Sequence, residues 1–484
     1  MFKEYNQNQN FLIPPSYEEF LWESHEAKIL NDIINELNLD CLYLSYKNKN
    51  KWTSAYNPNM LLKILFYWYM NETFSSRKIA KKLRSDLAFM YLAWNNTPDF
   101  RTINNFRKNK WKELENIFIE IVKLAQEMWL ISFWTFSLDW TKIYANASKN
   151  KNYSISELEK RIWWLFDLAD EEDEREDKLY WKDNEDNIPK DLKDSKKRKE
   201  VLKKAKEKLE KAKKKLENKN EELKKAKYSK CWNKPSLRKS INITDIDSRL
   251  MEMKRKDKAN WYNCQLITEN EIIIWNHIND NPADTKTLIP SLEYIKNKYN
   301  KIPKVLLADK WYPSIENFEY LENNNIEWYI PVSKNSSQLE WLKYNKKEDI
   351  YTDLEWNIYK FKQYNLRKNI EDRKKGRPKK WEIQRQEDYY VKLYVTKLKT
   401  WKNKFVQVNK SWLKYQNEQR KKLETKEWKK KYIERKWVER VFGNIKYNLW
   451  FERFVLRWLY KVKIEWNLIN MVHNLKKVMK FRLS

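Results

Sequence analysis

The feature that most restricts this chain is the pairing of 26 tryptophans with 2 glycines in 484 residues. At ordinary usage a chain of this length would carry about 34 glycines. Glycine serves left-handed turns and close backbone approaches because it lacks a Cβ. Without it, a fold must avoid such turns or place a bulky side chain in them. Many of the tryptophans stand where a turn glycine is expected: Trp140 in "SLDWTK", Trp261 in "ANWYN", Trp311 in "ADKWYP" and Trp356 in "LEWNI". Asp-Gly, Asn-Gly and Lys-Gly are the natural dipeptides there. We read most of these tryptophans as glycines encoded by UGA and written as Trp by a table that assigns UGA to Trp. That reading predicts strained or exposed indoles at such turns. It also predicts UGA codons at Trp140, Trp311 and Trp450.

The charge balance narrows the partner. Lys and Arg exceed Asp and Glu to give a net charge of +31. An AT-rich genome explains abundant lysine but not so large a surplus over acids. A polyanion, most naturally double-stranded DNA, is the expected partner. Cys41, Cys231 and Cys264 are widely separated and form no CxxC pair, so neither a zinc site nor a disulfide framework is indicated. No apolar run reaches the roughly 18 residues of a membrane span. The opening "MFKEYNQNQN" is unlike a signal peptide. The expectation is a cytoplasmic, nucleoid-associated protein.

Helical periodicity covers the N-terminal part. Residues 16–37 place Phe20, Ile29, Leu30, Ile33, Ile34 and Leu37 on one stripe. Residues 58–71 form a more apolar helix, followed by "SSRKIAKKLRSDLAFMYL" and "TPDFRTINNFRKNKW". Short helices rich in Arg and Lys resemble a helix-turn-helix unit, with a solvated basic face as the alternative. A strand is expected at 133–140. A helical insertion over 154–228 then interrupts the pattern. In it Leu202, Leu209, Leu216 and Leu223 recur every seven residues, with Ala205, Ala212 and Ala226 three residues after a Leu. That is a coiled-coil seam across more than three heptads, broken once by Lys219. Its partner is either the helix at 155–169, giving a hairpin, or a second chain. Strands are expected at 261–267, 270–276, 303–309 and 326–332, and helices at 284–299 and 314–323. This alternation indicates an α/β domain with a mixed sheet. A less regular basic stretch spans 334–430. Its "RKKGRPKK" around Gly376 places Arg377 either in a narrow minor groove or in a solvated loop. Amphipathic helices close the chain from about 431 to 481.

Asp139 and Asp309 each end an apolar strand in this reading, and Glu439 lies in the helical segment "YIERKWVERVFGNIK". Two strand-end carboxylates and a helix carboxylate can meet at one sheet edge. Clustered carboxylates repel unless cations neutralise them, and Mg²⁺ suits such hard oxygen donors. Two such ions can activate a water or hydroxyl and stabilise the leaving oxygen of a phosphodiester. Acidic residues at strand ends also serve purely structural ends, and the pattern alone leaves that open.

Four segments in order decide the matter by resemblance. Tyr432, Arg435, Glu439 and Lys446 keep the Tyr-x2-Arg-x3-Glu-x6-Lys spacing of DDE insertion-sequence transposases. "SLDWTKIYANAS" resembles that family's first-aspartate motif and "ADKWYPSIEN" its second. "YNPNMLLKILFYWYMN" with "SSRKIAKKL" resembles its helical DNA-binding region. Trp stands where the family usually has Gly, except Trp466, which matches a position often held by a true Trp.

The resemblance implies an RNase H-like α/β mixed-sheet catalytic domain, an all-α N-terminal domain and a coiled-coil insertion. The implied layout is a DNA-binding domain at 1–125, a catalytic core at 130–153 and 229–333, and the coiled coil at 154–228. A basic insertion at 334–430 and the Glu helix with its followers at 431–484 complete it. It implies that Asp139, Asp309 and Glu439 bind two Mg²⁺, with Mn²⁺ as an alternative. Arg435 and Lys446, on one helix with Glu439, would hold DNA phosphates. Tyr432 would contact the backbone or stack on a flipped base, or else simply pack. Lys142 and Asn146 are second-tier DNA contacts. Asp245, Asp247 and Arg249 in "TDIDSR" also resemble a family motif, and a loop salt bridge is the preferred reading. His25, His277 and His473 show no ligand spacing and are expected to be structural. A homodimer or higher assembly on transposon ends and target is implied. The alternatives are an inactive transposase-derived DNA-binding protein, an RNase H-like nuclease and a coiled-coil scaffold.

Overall fold

The computed structural model describes residues 16–45, 55–71, 76–161, 240–252, 258–279, 284–331, 343–345, 348–353, 357–366, 390–397, 403–408 and 425–483. It adds isolated helical positions within 207–218 and 415–423. Arg377, Gly376, Trp356, Cys231 and the heptad leucines lie outside the described residues.

Among the described residues the N-terminal part holds seven helices: α1 (Glu26–Glu36), α2 (Asp40–Leu44), α3 (Pro58–Met70), α4 (Ser76–Lys82), α5 (Leu87–Leu92), α6 (Phe100–Asn109) and α7 (Trp111–Glu127). The helix expected from residue 16 begins only at Glu26, where His25 Nδ1 accepts from the Ala27 N–H, and Phe20 stays exposed. Asn57 caps α3, whose residues except Asn59 are all buried. Asp86 and Asp99 cap α5 and α6.

A mixed sheet follows. β1 (Thr135–Tyr144) runs four residues beyond its expected end. After it come β2 (Asn152–Tyr153), β3 (Ile241–Asn242), β4 (Arg249–Glu252), β5 (Lys258–Glu269), β6 (Ile272–Asn279), β7 (Val305–Ala308) and β8 (Glu327–Tyr329). The sheet order is β4-β5-β1-β7-β8, with β6 also on β5. β1 is antiparallel to β5 and parallel to β7, which is parallel to β8. Helices α8 (Leu288–Tyr299) and α9 (Ile315–Asn323) connect β6 to β7 and β7 to β8. After its exposed first residue β5 is buried throughout, as befits a strand covered on both faces. Within the insertion, Lys213 pairs with Glu159 at 2.8 Å, so helical positions around 213 lie beside the helix at 155–161.

The basic stretch at 334–430 is more regular than its sequence indicated. It contains β9 (Lys343–Asn345), β10 (Ile350–Thr352), β11 (Ile358–Leu366), β12 (Tyr390–Lys397) and β13 (Asn403–Val408). They form one antiparallel meander in chain order. Lysines interleaved with aromatics masked the strand period.

The chain closes with α10 (Lys426–Ile433), α11 (Lys436–Gly443), a π-helical turn at Asn444–Asn448, and α12 (Leu459–Leu483). The 25 residues of α12 reach about 38 Å. It packs on β6, α7, α3 and α1. One continuous apolar core runs from Leu21 through Leu138 and Leu266 to Met479. The helical N-terminal part and the sheet therefore share a core, instead of the separate ones that a boundary near 125 suggests.

The glycine deficit shows in the backbone. The described glycine, Gly443, is helical, and left-handed φ values fall on other residues. Among the described residues four are tryptophans: Trp94 (φ 47°), Trp129 (61°), Trp450 (49°) and Trp458 (80°). All four indoles are exposed. Three of them follow a helix end where the next N–H reaches back over the last turn: Asn95 to Met90 and Leu130 to Ala125 across five residues, and Phe451 to Ile445 across six, after the π-helical turn. This is the helix-ending motif whose left-handed residue is usually Gly, less often Asn. Asn325 takes the same position after α9, with Ile326 N–H bonded to Leu321. Trp311 is exposed as predicted. Trp140 and Trp261 are not in turns: both lie within strands, and Trp261 is buried against Tyr144. Trp68 and Trp466 are fully buried.

Candidate active site

The register of the sheet brings the two aspartates together. β1 and β7 are parallel, with Leu138 opposite Ala308. Asp139 and Asp309 come next on these neighbouring chains, whose spacing in a sheet is about 4.8 Å. Each carboxylate accepts the N–H of the following residue, from Trp140 at 2.8 Å and from Lys310 at 2.7 Å. Asp309 ends its strand as expected. Asp139 does not, because β1 continues past the edge of β7 along β5.

Helix α11 lies over β1 and β5 and supplies the third carboxylate. Arg435 joins the parts: its guanidinium donates to Asp139 Oδ2 at 2.8 Å and to Glu439 Oε1 at 2.5 Å. Asp139 is buried and Glu439 is exposed, so the cluster opens to solvent on the helix side. Burial pushes the Asp139 carboxyl up to about 6. Arg435 opposes that shift, while Asp309 and Glu439 add to it. Burial works against the Arg435 charge, but Tyr432, Asp139, Glu439 and Asp309 together raise its pKa.

The segment 432–446 is not one α-helix. It breaks at Glu434–Arg435, and Lys446 sits in the π-helical turn. Lys446 still reaches β1, donating to Thr141 Oγ1 at 2.6 Å. Thr141 lies two residues after Asp139 and so shares its face of the strand. That periodicity was available in the sequence and would have found it. Tyr432 stacks on Trp428 with centroids 4.5 Å apart, and the Arg435 guanidinium lies 5.5 Å from its ring. Burial pushes its hydroxyl up to about 12.

Other predicted residues stand apart. Lys142 alternates to the opposite face of β1 from Asp139 and lies 5.8 Å from the Trp140 ring. Asn146 ties the end of β1 to the segment before α12, donating to the Val455 carbonyl at 2.6 Å and accepting from Arg457 at 3.3 Å. In "TDIDSR" the aspartates cap a helix, whereas a loop salt bridge was expected. Buried Asp245 accepts from Tyr262 Oη at 2.8 Å and from Trp458 N–H at 3.2 Å, and Asp247 accepts from Leu459 N–H at 2.9 Å. These bonds hold the start of α12. His473 is buried between Asn444 Nδ2 and the Glu271 carbonyl, both at 2.8 Å. His277 stacks on Trp275.

The donor chemistry tests whether a divalent cation fits. Oxygens of Asp139 and Glu439 already converge on one cation, the guanidinium, and Asp309 adds a carboxylate from the next strand. Such hard anionic oxygens suit Mg²⁺ or Mn²⁺. Among the described residues no three Asp, Glu, His or Cys side chains are placed to hold one ion as they stand.

The fold and this centre define the class: an α/β protein whose mixed sheet is compatible with an RNase H-like domain, carrying an acidic cluster at neighbouring strands. Residues 396–479 match the family described as transposase DDE domain, and residues 15–109 match the one described as transposase domain (DUF772). Together the two matches support an insertion-sequence transposase of the DDE type. No curated protein matches the chain. Among the described residues, no helix is long and apolar enough to cross a membrane.

Proposed function

We propose that this transposase cuts and joins DNA at the terminal inverted repeats of its element, with Asp139, Asp309 and Glu439 as the ligands of two Mg²⁺ ions. The observation that carries the reading is that Asp139 and Glu439, far apart in sequence, share one guanidinium while Asp309 follows the neighbouring strand beside Asp139. Bound there, Mg²⁺ would supply a nucleophile at neutral pH and charge neutralisation at the phosphodiester. The chain's own residues do the rest. Asp139 and Asp309 are fixed by the strand register, and Glu439 by the packing of α11. Arg435 and Lys446 hold phosphates beside them. Tyr432, stacked on Trp428, offers its edge and hydroxyl to the DNA backbone. The basic N-terminal helices α4 and α6, together with the meander, spread salt-sensitive phosphate contacts over the duplex. Arg377 stays a DNA-contact candidate on its sequence context alone, and Lys142 and Asn146 stay peripheral to the chemistry. Assembly of two ends calls for a dimer or higher oligomer.

The test is cleavage and strand transfer on duplexes bearing the element's ends, with Mg²⁺ present or chelated. Mg²⁺-dependent 3′-end nicking followed by joining supports the reading. Tight end binding without cleavage would point to a DNA-binding descendant. Cleavage without joining would point to a nuclease.

A further inference from the structure

We propose that Arg435 is a built-in competitor for the metal position, which couples metal loading to the arrival of DNA; this rests on the metal-centre reading above. The guanidinium takes one oxygen from Asp139 and one from Glu439, the two carboxylates that the sheet and α11 bring face to face. Its side chain is only 16% exposed, so it is set into the cluster and does not merely lie across it. It supplies a positive charge where three carboxylates would otherwise repel one another. A metal ion that takes the same oxygens must displace it.

What the displaced guanidinium does next follows from its chemistry. A planar fork that binds two carboxylate oxygens binds two phosphate oxygens equally well. A phosphate at the cluster mouth draws Arg435 away and leaves Asp139 and Glu439 without a counter-ion. Those carboxylates then gain affinity for a cation. Metal and phosphate each favour the state with Arg435 swung out, so each must strengthen the other's binding by the same factor. The DNA-free chain is thereby kept with its metal position filled by a side chain.

The experiment is Mn²⁺ binding to the full chain, followed by electron paramagnetic resonance of the free ion. It is run on wild type, Arg435→Gln and Arg435→Lys, with and without a mixed-sequence DNA duplex. Loss of two charge-assisted hydrogen bonds that compete with metal predicts that Arg435→Gln binds Mn²⁺ at least about tenfold more tightly without DNA. Arg435→Lys, charged but without the fork, falls between. DNA strengthens Mn²⁺ binding in wild type and does so less in Arg435→Gln. Without metal Arg435→Gln melts below wild type, and Mn²⁺ narrows the gap. If Arg435 only braces Glu439, its removal weakens Mn²⁺ binding, and that result overturns the proposal while the metal centre stands. Unchanged affinity overturns it equally. Absence of Mn²⁺ binding by every variant, with and without DNA, overturns the metal-centre reading and the proposal together.

Discussion

Two pairs of aspartates show what a carboxylate's partners decide. Asp139 and Asp309 sit side by side on parallel chains, and each spends one oxygen on the N–H of the next residue. Their remaining capacity faces Arg435, Glu439 and solvent. Asp245 and Asp247 are also close in space and near β5. They spend their oxygens on Tyr262 and on the N–H groups that open α12. The first pair keeps carboxylate capacity open beside Arg435. The second pair completes the start of a long helix, where unpaired N–H groups carry partial positive charge.

The largest expected effect breaks the comparison by function. Ala at Asp139, Asp309 or Glu439 should lower Mg²⁺-dependent cleavage to about a thousandth or less, the scale for one member of a catalytic unit. Circular dichroism spectra should stay unchanged. Asp245→Ala should do the reverse. It strands a buried tyrosine hydroxyl and a helix N–H, and urea denaturation should show a loss of about 2–4 kcal/mol. The chain that remains folded should still cleave.

A smaller effect concerns the scaffold beside the centre. Burial holds His473 down at about 4, against an ordinary 6.5. A base with a depressed folded pKa contributes stability above pH 6.5 that is lost as the pH falls toward 4. Between pH 7.5 and pH 5 wild type should lose about 1–2 kcal/mol through this group. Urea midpoints of His473→Gln should show that slope reduced. Asp247→Ala, which removes one capping carboxylate, should cost about 1 kcal/mol.

The smallest effects sharpen a parallel contrast among tryptophans. Gly at Trp94, Trp129 or Trp450 should stabilise the chain by about 1 kcal/mol each, because it relieves a left-handed backbone carrying an exposed indole. Thermal melting would show it. Gly at buried Trp466 should instead destabilise by several kcal/mol, roughly the 3–5 kcal/mol of large core truncations. Codons read from the gene should be UGA at the first three.

Helix α3 and strands β5 to β8 were legible in the sequence because apolar periodicity is a local signal, and motif spacing singled out Asp139, Asp309 and Glu439 as candidates for the same reason. What was not legible depended on long-range partners. Nothing in the sequence says that β1 runs past β7, since its length is set by pairing with β5. The meander of β9 to β13 was hidden because lysines and aromatics alternate in it without a clear apolar face. The roles of Asp245 and Asp247 required α12, more than 200 residues away in the chain. The break at Glu434–Arg435 that turns one expected helix into α10 and α11 left no Gly or Pro behind as a marker.

The most direct measurement is Mg²⁺-dependent nicking of an end-bearing duplex by Asp309→Asn, with Asp245→Asn as its counterpart. Asp309 is the member of the triad without a bond to Arg435 in this structure, so its removal leaves the Arg435 bridge standing. The account predicts a well-folded Asp309→Asn chain that binds the duplex and does not nick it, and an Asp245→Asn chain that is less stable yet nicks. Nicking by Asp309→Asn at the wild-type rate would contradict it.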